Sequence, residues 1–138
     1  MNTPLSLGFV ALIAGGIAFF FSKVGISNGV YIPAWITLIS LVHTVTALAY
    51  HHFQKEPFYL STSMLGLGLL CGVLASISYF AMLIALKMGG DASVIFPLVG
   101  LGVLVAVPLS FIFLDEPVTA TKLLGLGLGV GSITLLSR

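Results

Sequence analysis

Residues 63–86 read SMLGLGLLCGVLASISYFAMLIAL, a run without a charged side chain that ends immediately before Lys87. About 20 consecutive apolar residues are enough for an α-helix to cross the hydrocarbon core of a bilayer. The pattern recurs, because none of the chain's charged side chains falls in the middle of a long apolar run. These side chains are Lys23, Lys55, Glu56, Lys87, Asp91, Asp115, Glu116, Lys122 and Arg138. The sequence therefore predicts a membrane protein with almost nothing outside the membrane.

The composition supports an all-α integral membrane protein. Of the 138 residues, 59% are hydrophobic and 7% are charged, whereas a soluble domain carries about 25% charged residues. So few polar side chains could not cover a water-soluble surface. Since the stretches between the apolar runs are only a few residues long, no separate catalytic or binding domain fits. We expect a single multi-pass domain over residues 1–138, embedded in the lipid bilayer.

Five transmembrane helices are predicted from the positions of proline, glycine and charged residues. They cover about residues 4–22, 31–50, 63–86, 92–114 and 118–137. Pro57 separates the second helix from the third, and Gly89 and Gly90 end the third. The last run is just long enough to span if the Lys122 side chain snorkels to the surface. The first helix is not preceded by the Lys or Arg of a signal peptide, so we expect it to be retained.

Two acidic side chains are placed to cap helices. Asp91 precedes the fourth helix, and Glu116 precedes the fifth, with Pro117 suited to the first helical position. A carboxylate there accepts hydrogen bonds from the free amides of the first turn and favours the positive end of the helix dipole. We therefore predict that both acids act as helix caps.

The fourth predicted helix carries Pro97 and Pro108 in its interior. Each proline leaves an upstream carbonyl without its helical donor. In lipid, such a carbonyl must be satisfied by neighbouring groups or must line a polar cavity. Two interpretations of these prolines stay open: a kink that serves packing, and a role in gating or in lining a site.

The last predicted helix carries four glycines at alternate positions. They are Gly125, Gly127, Gly129 and Gly131, which form two overlapping small-xxx-small patterns. Lipid offers no hydrophobic driving force between helices, and small residues let two backbones approach closely. We predict that this helix serves packing or dimerisation.

His43 is the only ionisable side chain at a clearly intramembrane depth. With Thr37, Ser40 and Thr44 it forms a polar stripe at helical spacing, which should face a protein interior or a cavity. Proton coupling through His43 is one interpretation, and a neutral histidine hydrogen-bonded to another helix is the other. Trp35, near the beginning of the same helix, is typical of an aromatic belt at the membrane surface.

The third helix offers a second stripe, formed by Gly68, Gly72, Ser76 and Tyr79. Tyr79 has an apolar ring and a polar hydroxyl, so it can contact a substrate or pack against another helix. Cys71 lies in the same run; as the single cysteine it has no intrachain disulfide partner, and we expect a small buried hydrophobe.

The sequence contains no enzymatic motif: HExxH, GxSxG, CxxC and a phosphate-binding loop are all missing. His51, His52 and Glu56 lie in the predicted loop after the second helix, and we interpret them as solvated side chains rather than metal ligands. The net charge of +1, without a basic cluster, argues against a nucleic-acid partner. We therefore predict no enzymatic activity, no metal and no cofactor.

The basic residues give no clear orientation in the membrane. If the N-terminus is cytoplasmic, two basic residues lie inside and three lie outside: Lys55 and Lys122, against Lys23, Lys87 and Arg138. Cytoplasmic loops normally carry the excess of Lys and Arg. An odd number of helices without this bias suits a chain inserted in both directions and paired as an inverted homodimer. Such a pair reproduces the inverted repeats of many transporters, with a substrate site near the midplane.

The segment beginning at Tyr79 reads YFAMLIALKMGGDASVIFPLVGLGVLVAVPLSFIFLDEPVTATKLLGLGLGVGSITLL. It resembles the C-terminal part of an EamA domain of the drug/metabolite transporter superfamily. The matching features are the Ala-Leu pair at residues 85–86, the small residues leading into Pro97, the Leu-Asp-Glu turn at residues 114–116 and the Gly-rich last helix. In helix pattern the resemblance covers the whole chain, including Lys23 after the first helix.

This resemblance implies a half-transporter. Most relatives carry two such domains and ten helices, whereas this chain is similar to the single-domain, five-helix members, so two copies should assemble. Relatives in the four-helix multidrug group exchange protons through a membrane-embedded glutamate in their first helix. The first helix of this chain has no acidic residue, which leaves His43 as the only obvious substitute.

The leading hypothesis is a bacterial-type inner-membrane transporter that works as an antiparallel homodimer. It would move a small metabolite, drug or lipid-linked compound by alternating access. The residues expected along the substrate pathway are Ser40, His43, Thr44, Ser76, Tyr79 and Pro97. Two alternatives stay open: a structural or accessory membrane subunit that transports nothing, and one half of a heterodimer with a paralogous chain.

Overall fold

A computed structural model describes residues 3–136, and within them the chain is helical, with no strand. The helices are α1 (Thr3–Ser27), α2 (Ile32–Gln54), α3 (Thr62–Lys87), α4 (Ala92–Gly100), α5 (Val103–Phe113) and α6 (Ala120–Leu136). The prediction of an all-helical protein is confirmed. The predicted end of the last helix at Ser137, and the charge of Arg138, lie outside the described residues.

The chain divides into two compact units, Met1–Ile84 and Ala85–Arg138. The first unit holds α1, α2 and most of α3. The second unit holds the end of α3 together with α4, α5 and α6.

Four stretches are long and apolar enough to cross a membrane: α1, α2, α3 and the combined segment Ala92–Phe113. The fifth predicted span, α6, has 17 residues within the described part, which gives about 26 Å at 1.5 Å per residue. Most large apolar side chains are exposed in the single chain; the buried ones are Ile32, Met82, Leu83 and Leu86. A surface of this kind needs lipid or another protein around it.

Helix α1 ends with a left-handed glycine rather than at a charged residue. Gly29 has φ +76°, its amide donates to the Ile26 carbonyl at 3.0 Å, and the Val30 amide donates to the Gly25 carbonyl at 3.2 Å. This pair of bonds is the Schellman motif. The expected end of the helix at Ser22 was therefore wrong, because the apolar stem of a lysine is tolerated inside a helix and Gly29, six residues after Lys23, supplies the stop.

Helix α3 ends in the same way. Gly89 has φ +97° and its amide donates to the Leu86 carbonyl at 3.3 Å, while the Gly90 amide donates to the Ala85 carbonyl at 3.0 Å. The predicted stop at these two glycines agrees with the structure. Each unit therefore has one helix that turns into the next through a Schellman motif.

Helix α2 continues past its predicted end at Tyr50 to Gln54. Lys55, with φ +56°, forms its left-handed C-cap. His51 and His52 consequently lie in the last turn of the helix and not in a loop. A basic side chain in this position interacts favourably with the negative end of the helix dipole, which accounts for the longer helix.

The fourth predicted helix is broken, contrary to the prediction of one helix over residues 92–114. Leu101 and Gly102 form a turn between α4 and α5. The Gly102 amide donates to the Val99 carbonyl at 3.0 Å, and the Leu104 amide donates to the Leu101 carbonyl at 2.8 Å. Both bonds span three residues, so the α-helical ladder stops here. The break lies between the two prolines, at the glycine.

Neither acidic cap forms as predicted. Asp91 occupies the N-cap position of α4, but its side chain makes no capping hydrogen bond; its backbone carbonyl accepts from Val94 and Ile95 instead. Helix α6 begins only at Ala120, four residues after Glu116. The cap of α6 is neutral, since the Thr119 hydroxyl oxygen accepts from the Lys122 amide at 3.3 Å.

Glu116 forms an ion pair with Lys122 instead of capping α6. The Lys122 Nζ atom lies 3.5 Å from a Glu116 carboxylate oxygen and donates to the Pro117 carbonyl at 3.1 Å. The side chain thus reaches back to the connection before α6, which is the snorkelling that the sequence analysis required. Both partners are solvent-exposed, so the ion pair contributes little to stability.

The four glycines of α6 fall on two faces. A Cβ at Gly129 would lie 2.9 Å from Leu101 Cδ2, so α6 packs closely on the break between α4 and α5. Gly125 lies on the same side and lines a cavity of about 300 Å³ in the second unit. Gly125, Gly127 and Gly131 have no neighbour within 4 Å for an added Cβ. Of these four glycines, Gly129 is therefore the one that packs closely on the rest of the described chain.

Candidate functional site

The first unit has an open cavity of about 530 Å³ between α1, α2 and α3. Small-molecule sites are typically concave, mostly apolar and about 300–1,000 Å³ in volume. No Asp, Glu, Lys or Arg is among the lining residues. The polar side chains that line the cavity are Ser22, Trp35, Ser40, His43, Ser76 and Tyr79. The rest of the lining is aromatic, aliphatic or small.

Four of the six predicted pathway residues lie along this cavity: Ser40 and His43 on α2, and Ser76 and Tyr79 on α3. A spacing of three residues brings each pair onto one face of its helix. Thr44 is not among the lining residues, and its hydroxyl donates to the Ser40 carbonyl of its own helix at 2.9 Å. Pro97 lies in α4, in the second unit. The role of each residue in a transport pathway stays a prediction.

His43 is exposed in the single chain. Within residues 3–136 its ring has no hydrogen-bond partner, and the same is true of the Ser40 and Ser76 hydroxyls. The alternative of a histidine held by a hydrogen bond to a neighbouring helix is therefore not realised in one copy of the described chain. These three polar groups are available to a ligand, to water or to a second chain.

Ser22 is a site residue that the sequence analysis missed. It is buried, with 2% of its surface exposed, and its hydroxyl donates to the Ala18 carbonyl at 2.9 Å. The Ser22 Oγ atom also lies 3.0 Å from the Tyr79 hydroxyl oxygen, which ties α1 to α3. Ala18, Ser22 and Gly25 are small residues at helical spacing, and this pattern was the available signal.

Trp35 lines the same cavity, and the prediction that it belongs to an aromatic belt missed this. Gly25 is the reason: a Cβ there would lie 3.3–3.5 Å from three atoms of the Trp35 ring, so the indole packs directly on the α1 backbone. The Nε1 atom is enclosed and finds no hydrogen-bond partner among the described residues. The glycine therefore creates the space in which Trp35 turns toward α1.

No group of three or more His, Cys, Asp or Glu side chains that could hold a metal ion occurs in the described part of the chain. Cys71 is exposed on the single chain, contrary to the expectation of a buried side chain. Its position in the middle of an apolar helix makes lipid or a partner protein its natural neighbour.

Comparison with known proteins agrees with this architecture. The chain matches the EamA-like transporter family over residues 2–138. It is also 28% identical, over 137 residues, to an uncharacterised protein of Methanocaldococcus jannaschii, with 99% of this chain and 98% of the relative covered. No solved structure matches the chain significantly. Multiple apolar helices and a family match along nearly the full length lead to one conclusion: the chain is a multi-pass membrane protein that belongs to the EamA-like transporter family.

Proposed function

We propose that two copies of the chain form an antiparallel homodimer in the inner membrane and move a small uncharged or amphipathic compound by alternating access. The observation that carries the proposal is the first-unit cavity, which lies among transmembrane helices and presents the polar groups of Ser40, His43 and Ser76 without any Asp, Glu, Lys or Arg side chain. Polar groups at this depth are costly in lipid and are retained where they contact a substrate, water or another helix.

The uncovered face of α6 supports the pairing of two copies. An added Cβ at Gly127 or Gly131 meets nothing within 4 Å, and Gly127 lies in an open apolar depression of about 460 Å³. Glycines four residues apart allow two helices to approach closely in lipid. We therefore assign the face of α6 that carries Gly127 and Gly131 to the contact between copies, and the face that carries Gly129 to packing inside each copy.

The sidedness of the C-terminus tests this proposal most directly. A reporter fused after Arg138, which distinguishes the cytoplasm from the exterior in intact cells, is expected to give signal on both sides. The physical reason is the absence of a Lys and Arg bias between the loops. A C-terminus found on one side only would exclude the inverted homodimer and would indicate a separate partner chain.

His43 is proposed as the group that couples transport to protons. Imidazole is the side chain that changes charge near neutral pH, and His43 lines the cavity in the middle of α2. In proteoliposomes, transport of a compound identified from a panel of labelled uncharged aromatic alcohols and amides should vary with pH. The His43→Ala variant should lose this variation.

The matched control is His51→Ala, because His51 lies in the last turn of the same helix and outside the cavity. This variant should keep the pH profile of the wild type. A His43→Ala protein whose profile is unchanged would remove His43 from the mechanism while leaving transport itself untouched.

A further inference from the structure

The order of donors and acceptors in the Ser22–Tyr79 pair follows from the proton count. A serine hydroxyl has one proton, and a tyrosine hydroxyl has one. The Ser22 Oγ atom lies 2.9 Å from the Ala18 carbonyl oxygen, which has no proton to give, so Ser22 is the donor in that bond. Ser22 has no second proton, so the 3.0 Å bond to Tyr79 is donated by the Tyr79 hydroxyl.

Toward the cavity, the Tyr79 hydroxyl can therefore act only as a hydrogen-bond acceptor. Its O–H donates to the buried Ser22, and only the lone pairs of its oxygen are open to a molecule in the cavity that Tyr79 lines. A ligand atom that donates an O–H or N–H proton can bond to this oxygen. An ether or carbonyl oxygen cannot, because two acceptors would meet without a proton between them.

The surroundings of Tyr79 define the rest of the ligand. Phe19, Phe21 and Trp35 supply aromatic surface. Apart from the His43 imidazole, no acidic or basic side chain lines the cavity to neutralise a buried ionic group, which would be costly to leave unpaired. We propose that the cavity selects uncharged aromatic compounds that carry a hydroxyl or N–H group, and that the Tyr79 oxygen recognises this group by accepting a hydrogen bond from it. The inference rests on the proposed function, since it names the substrate class of the same site.

The test compares two probes of similar shape, 2-naphthol and 2-methoxynaphthalene, of which only the first is a donor. Binding to the purified full chain in detergent is followed by tryptophan fluorescence, and the affinity ratio of the two probes is compared between variants, so that partitioning into detergent cancels. The wild type should favour 2-naphthol about fivefold more than Tyr79→Phe does, as expected for one hydrogen bond. Tyr59→Phe is the matched control, because Tyr59 lies in the exposed connection before α3.

Ser22→Ala gives the sharper result. Without the Ser22 oxygen, the Tyr79 O–H no longer has an acceptor inside the protein and can donate to the methoxy oxygen. The preference for 2-naphthol should therefore fall because 2-methoxynaphthalene binds more tightly, and not because 2-naphthol binds more weakly. A change confined to 2-naphthol, an equal ratio in the wild type and Tyr79→Phe, or no binding of either probe to the wild type would each overturn the inference.

These outcomes are separable from the failure of the proposed function, since binding is measured without a gradient and without transport. A donor preference that depends on Tyr79 and Ser22, together with no transport in proteoliposomes, would sustain the recognition mechanism and refute the transporter. Transport of aromatic compounds with no dependence on either residue would refute the recognition mechanism alone.

Discussion

Replacing Gly25 by leucine is expected to weaken the binding of aromatic compounds to the first-unit cavity strongly. The position of a Cβ is already 3.3–3.5 Å from three atoms of the Trp35 ring, so the remaining atoms of a leucine side chain must displace the indole. Such overpacking costs about 1–3 kcal/mol. Because Trp35 lines the cavity, the displaced ring also occupies ligand space, and we expect 2-naphthol affinity to fall about tenfold or more.

The matched control for Gly25→Leu is Gly8→Leu. Gly8 lies in the same helix, is exposed, and has no atom within 4 Å of an added Cβ. Its substitution should leave binding and thermal stability near the wild-type values. A Gly25→Leu protein that binds 2-naphthol as the wild type does would show that the position of Trp35 does not shape the cavity.

The second large effect is expected from Gly90→Ala at the end of α3. An added Cβ would lie 2.8 Å from the Ala85 carbonyl oxygen and 3.1 Å from Ile95 Cγ1. The carbonyl is backbone and cannot rotate away, so the bond from the Gly90 amide to this oxygen must lengthen or break. We expect a loss of about 2 kcal/mol in stability, which is typical of lost caps and local strain.

Heat-induced loss of the monodisperse peak in detergent, measured by size-exclusion chromatography, checks this expectation. Gly100→Ala is the matched control, since an added Cβ there meets nothing within 4 Å and alanine favours a helix. A Gly90→Ala protein as stable as Gly100→Ala would mean that the turn after α3 relaxes freely.

The helices could be predicted because apolar runs in this chain are long and charges are few, but several of their ends could not. The first helix is predicted to end before Lys23, whereas α1 continues to Ser27, and the positive φ of Gly29 closes the Schellman motif that follows it. The break at Leu101 and Gly102 was missed for a related reason. Both prolines are predicted inside one helix and do lie inside helices, but the turn forms at the glycine between them, for which the sequence pattern gave no stop signal.

The candidate site could likewise be predicted only in part from the sequence. Ser40, His43, Ser76 and Tyr79 were placed on stripes by helical periodicity, and each lines the cavity. The bond between Ser22 and Tyr79 joins residues 57 positions apart, and periodicity within one helix carries no information about such a partner. Tertiary packing decides it.

The interruption between α4 and α5 has a consequence for the membrane around it. With 9 and 11 residues, the two short helices are about 14 and 17 Å long, so the turn lies near mid-depth in a core of about 30 Å. The Gly102 amide bonds to Val99, and the Leu98 carbonyl loses the donor that a continuous helix would give it. Hydrocarbon offers no replacement, and an unsatisfied group there costs several kcal/mol. A lone copy surrounded by lipid carries this penalty unless water or protein reaches Leu98, which gives the chain a reason to associate that does not depend on its glycines.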